Sequence, residues 1–278
     1  MNKLKLWKDH IDWQQAEANW EIGAKEAAAK KPIKGLLSLP KMPGMTPETA
    51  KNLKWKSLKW MIFEDHRRII FKNFCKHPIK YGWSFLKSVF RKKSFQRDGD
   101  FFLYGVENTK QFEKLLKDPE NLLVLGFSYC HKPFECPSGR FTDACVHDPE
   151  NLVCRQCFIG KAVNAVPEKI AIPLFIPTIH YIGEKIFEIV HANPMKKVLF
   201  IITACEMTLE MFGDWGNMVN IVGIGVRLDG RICNTMAAFE LSEKGIKPGL
   251  TVVLDETQKK ILELLYQRSL SNEIKSQL

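Results

Sequence analysis

Nowhere in the 278 residues do 18 apolar residues run together, so no segment reads as a membrane-crossing helix. Met1 to His10 carries charge but lacks the apolar centre of a secretory signal. A cytosolic address is therefore expected, and thiols there stay reduced. That argues against a disulfide framework. Phosphate-binding fingerprints are missing too. There is no P-loop, and the glycines of 216–225 (GNMVNIVGIG) do not form a G-x-G-x-x-G that follows a strand and opens a helix. Neither G-x-S-x-G nor H-E-x-x-H occurs. Nucleotide-driven chemistry and the familiar hydrolase chemistries are thereby disfavoured.

Acidic residues are scarce in one part of the chain. Residues 1–100 carry 22 Lys+Arg against 10 Asp+Glu, whereas 101–278 carry 19 against 21. The net charge of +10 thus belongs to the first third, which also holds Trp7, Trp13, Trp20, Trp55, Trp60 and Trp83. An apolar fraction of 45% is ordinary for a chain with a sizeable core. The length suits one large domain with an extension, and we divide it into a basic helical part, 1–100, and a cysteine-rich α/β part, 101–278.

Residues 1–31 are rich in helix formers but have only a thin apolar stripe at Trp13, Trp20 and Ile22. Pro32 to Pro47, with four prolines, reads as a linker or extended strap. Thr46-Pro47-Glu48-Thr49 suits a helix start with Pro47 at its first position. Residues 50–93 form a basic aromatic block. Leu58, Met61, Ile62 and Ile69 roughly follow helical spacing there, Asp65 interrupts them, and Pro78 separates a second short helix. Residues 101–105 (FFLYG) suggest a short strand, and 107–117 a helix capped near Asn108. From Asn121 strands and helices alternate. The strand candidates 122–127, 170–176, 197–203, 220–228 and 250–254 are nearly continuous in apolar character, as strands buried on both faces are. Helices are expected at 178–191, 206–212, 235–244 and 255–270. The fold class is α/β: an open, mostly parallel sheet with helical crossovers, plus a helical basic N-terminal extension.

Five of the eight cysteines, Cys130, Cys136, Cys145, Cys154 and Cys157, fall within one polar loop. Cys205 and Cys233 each follow a strand candidate. In a parallel sheet the carboxyl ends of the strands lie on one edge, where ligands bind. The spacing therefore predicts that seven thiols converge there. Cys75 stands apart and reads as a small buried hydrophobe. Cys154-Arg-Gln-Cys157 is a C-x-x-C pair, whose reach suits zinc or two irons of one cluster. Cys205 should lie at a helix N-terminus, which lowers a thiol's pKa. Arg140, Arg155 and Lys161 either balance cluster charge or are solvated. Structural zinc prefers two tight ligand pairs, and only one is present, although His131 and His147 could complete a site. Seven thiolates suit one four-cysteine cluster and a second, incompletely ligated one. His180 reads as a proton donor, a ligand or a structural histidine, and Glu206 as an acid/base group or a first-turn charge.

The stretch from about Leu122 to Thr235 resembles the uncharacterised family catalogued as domain of unknown function 116. The resemblance lies in Cys130…Cys136-Pro137, Cys154-Arg-Gln-Cys157-Phe-Ile-Gly160, Ala204-Cys205-Glu206, and the region of Gly223, Gly225, Val226, Gly230, Cys233 and Thr235. The family pattern has a further cysteine just upstream of the C-x-x-C pair, where this chain has Asn151. The resemblance implies a cysteine-rich iron–sulfur protein and no established reaction.

The expected cofactor is an iron–sulfur cluster, [4Fe-4S] and up to two of them, with zinc as the weaker alternative. The expected ligands are Cys130, Cys136, Cys145, Cys154, Cys157, Cys205 and Cys233. The expected chemistry is electron transfer, or redox or sulfur transfer with a redox partner protein or small molecule. A zinc-stabilised module gripping nucleic acid and a non-catalytic cofactor scaffold are the alternatives. Residues 50–93, with Trp55, Trp60, Phe63, Phe71, Phe74, Trp83, Phe85 and Phe90 among lysines, suit an anionic membrane surface on the cytoplasmic side. Equally, they suit a cover over the core. Nucleic acid is a weaker third reading of that block.

Overall fold

The structure is a computed structural model, and it describes residues 12–36, 42–65, 68–90, 95–166, 170–216, 219 and 221–277. The beginning of the expected 1–31 helix, part of the strap around Pro40, residues 91–93 of the basic block and Asn220 of one strand candidate lie outside the described residues. So do the side chains of Met61, Ile69 and Phe85.

The apolar runs of the second half pair side by side. Strands β3 (Leu122–Ser128), β4 (Ala171–Ile176), β5 (Val198–Ala204) and β6 (Val222–Arg227) are mutually parallel. Strand β2 (Phe101–Tyr104) adds antiparallel to β6, and β1 (Gln96–Asp98) closes the edge, giving the order β1-β2-β6-β5-β3-β4. The run 250–254 is not part of this sheet. Only Thr251–Val252 (β8) is a strand, and it pairs antiparallel with Asp229–Gly230 (β7). Its apolar Val253 serves the core without extending the ladder.

Alternation along the strands feeds two cores. Leu123, Leu125 and Phe127 of β3 and Leu199 and Ile201 of β5 face one side. There they meet α1 (Trp13–Lys30), α6 (Thr109–Leu116), α8 (Phe158–Asn164) and α12 (Asp255–Gln277) through Trp20, Phe112, Leu116, Ile159, Ile261 and Leu265. Val124, Val198, Phe200 and Ile202 face the other side. They meet α9 (Ile179–Ala192), α10 (Glu206–Gly216) and α11 (Met236–Glu243) through Ile182, Ile186, Leu209, Phe212 and Phe239.

The first third wraps the sheet. α1 docks by Trp20, only 2% exposed, while Ile22 faces outward. The strap then crosses the carboxyl edge: Met42 N–H donates to Asp229, Met45 N–H to Glu206 and Thr46 N–H to the Asn234 carbonyl. Thr46 caps α2 (Pro47–Ala50), with Pro47 at its first position. The basic block forms α3 (Leu53–Glu64), α4 (Ile69–Lys76) and α5 (Pro78–Phe90). Pro78 opens α5, because its missing N–H is one the first turn leaves unpaired.

Candidate metal centre

The chain passes from β3 to β4 on one side, then returns to lay β5 on the other side of β3. The carboxyl ends of β3 and β5 flank this reversal, where open α/β sheets hold ligands. Cys130 follows β3 in a single 3-10 turn, Tyr129–His131, and Cys205 directly follows β5. Cys233 follows the β7 strand. All three are buried.

These three thiols form one neighbourhood. Cys205 and Cys233 are hydrogen-bonded to each other, and Cys130 lies within electrostatic reach of both. The Thr208 hydroxyl is 3.1 Å from Cys205 Sγ, and Lys247 Nζ donates to Cys233 Sγ at 3.2 Å. The hydrogen bond with Cys233, together with burial, raises Cys205 well above the ordinary thiol value. Cys233 is held down at about 5 by the Cys205 hydrogen bond and the Lys247 ammonium. The helix dipole does not make Cys205 the thiolate. The lowered group of the pair is Cys233, favoured first by the Cys205 hydrogen bond and then by the cation facing it. Burial pushes Cys130 up to about 11, against the pull of Lys247.

Cys136, Cys145, Cys154 and Cys157 form a second neighbourhood, each within electrostatic reach of others in the set. Cys154 lies in the short helix α7 (Leu152–Gln156), and Cys157 joins α7 to α8. Asn151 caps α7, its side chain accepting from Val153 N–H and Cys154 N–H at 3.0 and 3.2 Å. Asn151 thus orients the C-x-x-C pair. Gly160 lets α8 approach that pair, since a Cβ there would lie 2.2 Å from the Cys154 carbonyl oxygen.

Backbone N–H groups point at these sulfurs. His147 N–H donates to Cys145 and Cys154, Asp148 N–H to Cys154, and Ile159 and Gly160 N–H to Cys157. His147 adopts φ 37°, a left-handed bend that brings successive N–H groups to one side. Asn164, 2% exposed, holds that bend to α8 by donating to the His147 and Gly160 carbonyls, both at 2.8 Å. Burial nonetheless raises Cys145 to about 11 and Cys157 to about 12. Such thiols lose their protons to a metal rather than to water.

Two cations that sequence reasoning passed over organise the site. Lys132 is 1% exposed, and its ammonium donates to the Gly139, Thr142 and Ala144 carbonyls and to the Thr142 hydroxyl at 2.7–3.3 Å. It gathers the loop around itself beside Cys136, Cys145 and Cys157. Lys247 faces Cys233 from a turn far along the chain. A lysine two places after Cys130, and another in a Gly-Ile-Lys-Pro-Gly turn, were the only signals available.

The three cations named from sequence are engaged in packing, hydrogen bonds or ion pairs, and Arg140 also lies within electrostatic reach of Cys130 and Cys136. Arg140 stacks on Phe134 at 4.3 Å and donates to the Lys132, Cys130, Lys247 and Gly249 carbonyls. It therefore ties the two thiol neighbourhoods together. Arg155 lies over the Trp20 ring at 4.3 Å, and Lys161 pairs with Glu17 and Glu21 of α1. Glu206 pairs with Arg97 and accepts from Met45 N–H at 3.2 Å, in a network with buried Arg227 and Asp229. It holds the strap down. His131 stacks on Phe158, and burial lowers it to about 4, so its ring is neutral. His147 Nδ1 donates to the Cys145 carbonyl, and the His180 ring packs on Trp60. Cys75 is exposed on α4 and packs in no core.

A cavity of about 240 Å³ opens between α1, α8 and the thiol loop, lined by Trp20, His131, Arg155, Cys157 and Lys161 among others. Among the described residues, no three His, Cys, Asp or Glu side chains converge tightly enough to hold a single ion. The thiols are neighbours rather than a closed cage. Their donor chemistry fits thiolate–metal bonding, because sulfurs that accept N–H bonds are set up to carry negative charge. No family model, no curated protein and no solved structure matches the chain.

Proposed function

We propose that the protein is an iron–sulfur protein with two centres at the carboxyl edge of its sheet. Cys136, Cys145, Cys154 and Cys157 would hold a [4Fe-4S] cluster by four thiolates. Cys130, Cys205 and Cys233 would hold a second centre by three, leaving one position for a small ligand beside Lys247. Such clusters supply one-electron chemistry, and an incompletely ligated one also supplies a Lewis-acidic iron. The function is electron transfer coupled to redox or sulfur-transfer chemistry at the three-thiol centre. The observation that carries this reading is the sorting of seven thiols into sets of four and three around the switch point. The chain's residues do the rest. Lys247 draws charge to Cys233, Lys132 offsets the charge of the four-thiol set, and Arg140 fixes the distance between the sets. Zinc held with histidine has less support, because His131 and His147 are already engaged in packing and backbone bonding.

The test is iron and acid-labile sulfide analysis of protein prepared without oxygen. Wild type should be brown. Cys157→Ala and Cys233→Ala should each lose part of the iron, and the double variant nearly all of it. A colourless protein with stoichiometric zinc after cluster reconstitution would overturn the proposal.

A further inference from the structure

Helices α3 to α5 bury one side and leave another uncovered. Leu53 and Trp60 of α3 pack on the second core, and Tyr81 of α5 packs on Phe187 of α9. On α5 the residues Ile79, Trp83, Leu86 and Phe90 recur at spacings of four, three and four, which puts them on one helix face. That face is outward: the four are 87%, 62%, 47% and 84% exposed. Trp55 and Ile62, two turns apart on α3, are 61% and 64% exposed, and Phe63 and Phe71 add 68% and 63%. Water-facing helices ordinarily present polar side chains there, and a contiguous apolar patch marks a contact surface.

The charge around the patch identifies its occupant. Residues 51–93 carry thirteen Lys and Arg against two Asp and Glu. Lys59, Lys72, Lys76, Lys80 and Lys87 are exposed among the aromatics, and Lys87 Nζ lies 5.5 Å from the Trp83 ring centre. We propose that α3–α5 dock the protein on an anionic lipid surface, with the Ile79–Phe90 face in the headgroup region and the lysines on lipid phosphates and carboxylates. Trp and Phe favour that interface, and each lysine near it strengthens binding about fivefold. A second copy of the chain would set like charge against like. Single-stranded nucleic acid would use the rings and lysines but has no contact for Ile62, Ile79 and Leu86. Among the described residues no helix is long and apolar enough to cross a bilayer, so the patch lies on the surface and does not span it. The inference is independent of the cofactor.

The experiment is co-sedimentation of the full-length protein with phosphatidylserine-containing and with pure phosphatidylcholine vesicles, at low and high salt. Wild type should bind the anionic vesicles and be released by salt. Trp83→Ala with Phe90→Ala should weaken binding about tenfold or more. Lys80→Gln with Lys87→Gln should weaken it about 25-fold. All four side chains are exposed, so both variants should melt like wild type. Should either not do so, Ile79→Ser replaces it. Absence of wild-type binding, equal binding to both vesicle types, or unchanged binding by both variants would overturn the proposal. So would dimers, or complexes with single-stranded DNA, abolished by the same substitutions without vesicle binding.

Discussion

The contact between Lys161 and α1 makes an asymmetric prediction. The Lys161 side chain on α8 is 10% exposed, while its partners Glu17 and Glu21 are 29% and 52% exposed. Its ammonium is 3.0 Å from Glu17 Oε1 and 2.6 Å from Glu21 Oε1. Replacing both glutamates by glutamine leaves a buried cation with neutral partners. Breaking a fully buried pair costs about 3–5 kcal/mol, and an exposed pair less than about 1. This site lies between, so Glu17→Gln with Glu21→Gln should cost about 2 kcal/mol. Adding Lys161→Met should restore most of that loss, because a straight apolar chain fills the same volume and strands no charge. Thermal melting reads the difference as roughly 4–8 °C for a domain this large. Limited proteolysis should cut near α1 in the double variant and not in the triple. If the double variant melts like wild type, the ion pair does not hold α1. If the triple melts no higher than the double, a stranded charge is not the cause. Because Trp20 and Arg155 belong to the same contact, release of α1 should also speed loss of iron in air from the cluster proposed at Cys154 and Cys157.

Asn164→Ala should cost about 1–3 kcal/mol by removing two hydrogen bonds of a buried side chain, and it should lower iron content by freeing the His147 bend; unchanged iron would count against the N–H groups shaping the site. Gly160→Ala should be more damaging than any surface Gly→Ala change, measured as melting temperature and iron retention, because its Cβ has no room beside the Cys154 carbonyl. Burial raises the Glu243 carboxyl to about 8, so its proton favours the folded state; that contribution is fully present below about 4.5 and is lost as pH rises through 8. Glu243→Gln, which can still accept from Ile179 N–H, should flatten the fall in melting temperature between pH 5 and 9.

Much of the architecture was legible because its signals are local. Apolar runs at 122–127, 170–176 and 197–203 gave away buried strands, since both faces of those strands are covered. Caps at Thr46 and Asn108 marked helix starts because the bond each makes spans only three residues. The 250–254 run misled, because an apolar stretch reports burial and not which ladder it joins. The basic block left an exposed surface and a core cover equally open, and on α5 Ile79, Trp83, Leu86 and Phe90 face outward. Spacing defines a face but not what lies against it.

The sequence by itself determined the element types and the placement of Cys130 and Cys205 after strands. Parallel strands with crossovers must put those residues on one edge. Only the tertiary structure decided how the thiols divide. Cys145 lies 15 residues after Cys130 and 12 before Cys157, too even a spacing to sort it, and it falls with Cys136, Cys154 and Cys157. The buried ammonium of Lys132 folds the loop back on itself, and Asn164 pins the His147 bend to α8. Charge within the three-thiol set was likewise a tertiary matter. Cys233 is lowered first by its hydrogen bond with Cys205 and then by Lys247, 14 residues further along, whose ammonium comes within 3.2 Å of that sulfur. Contacts between groups distant in the chain depend on how whole elements pack, and no local pattern of residues encodes them.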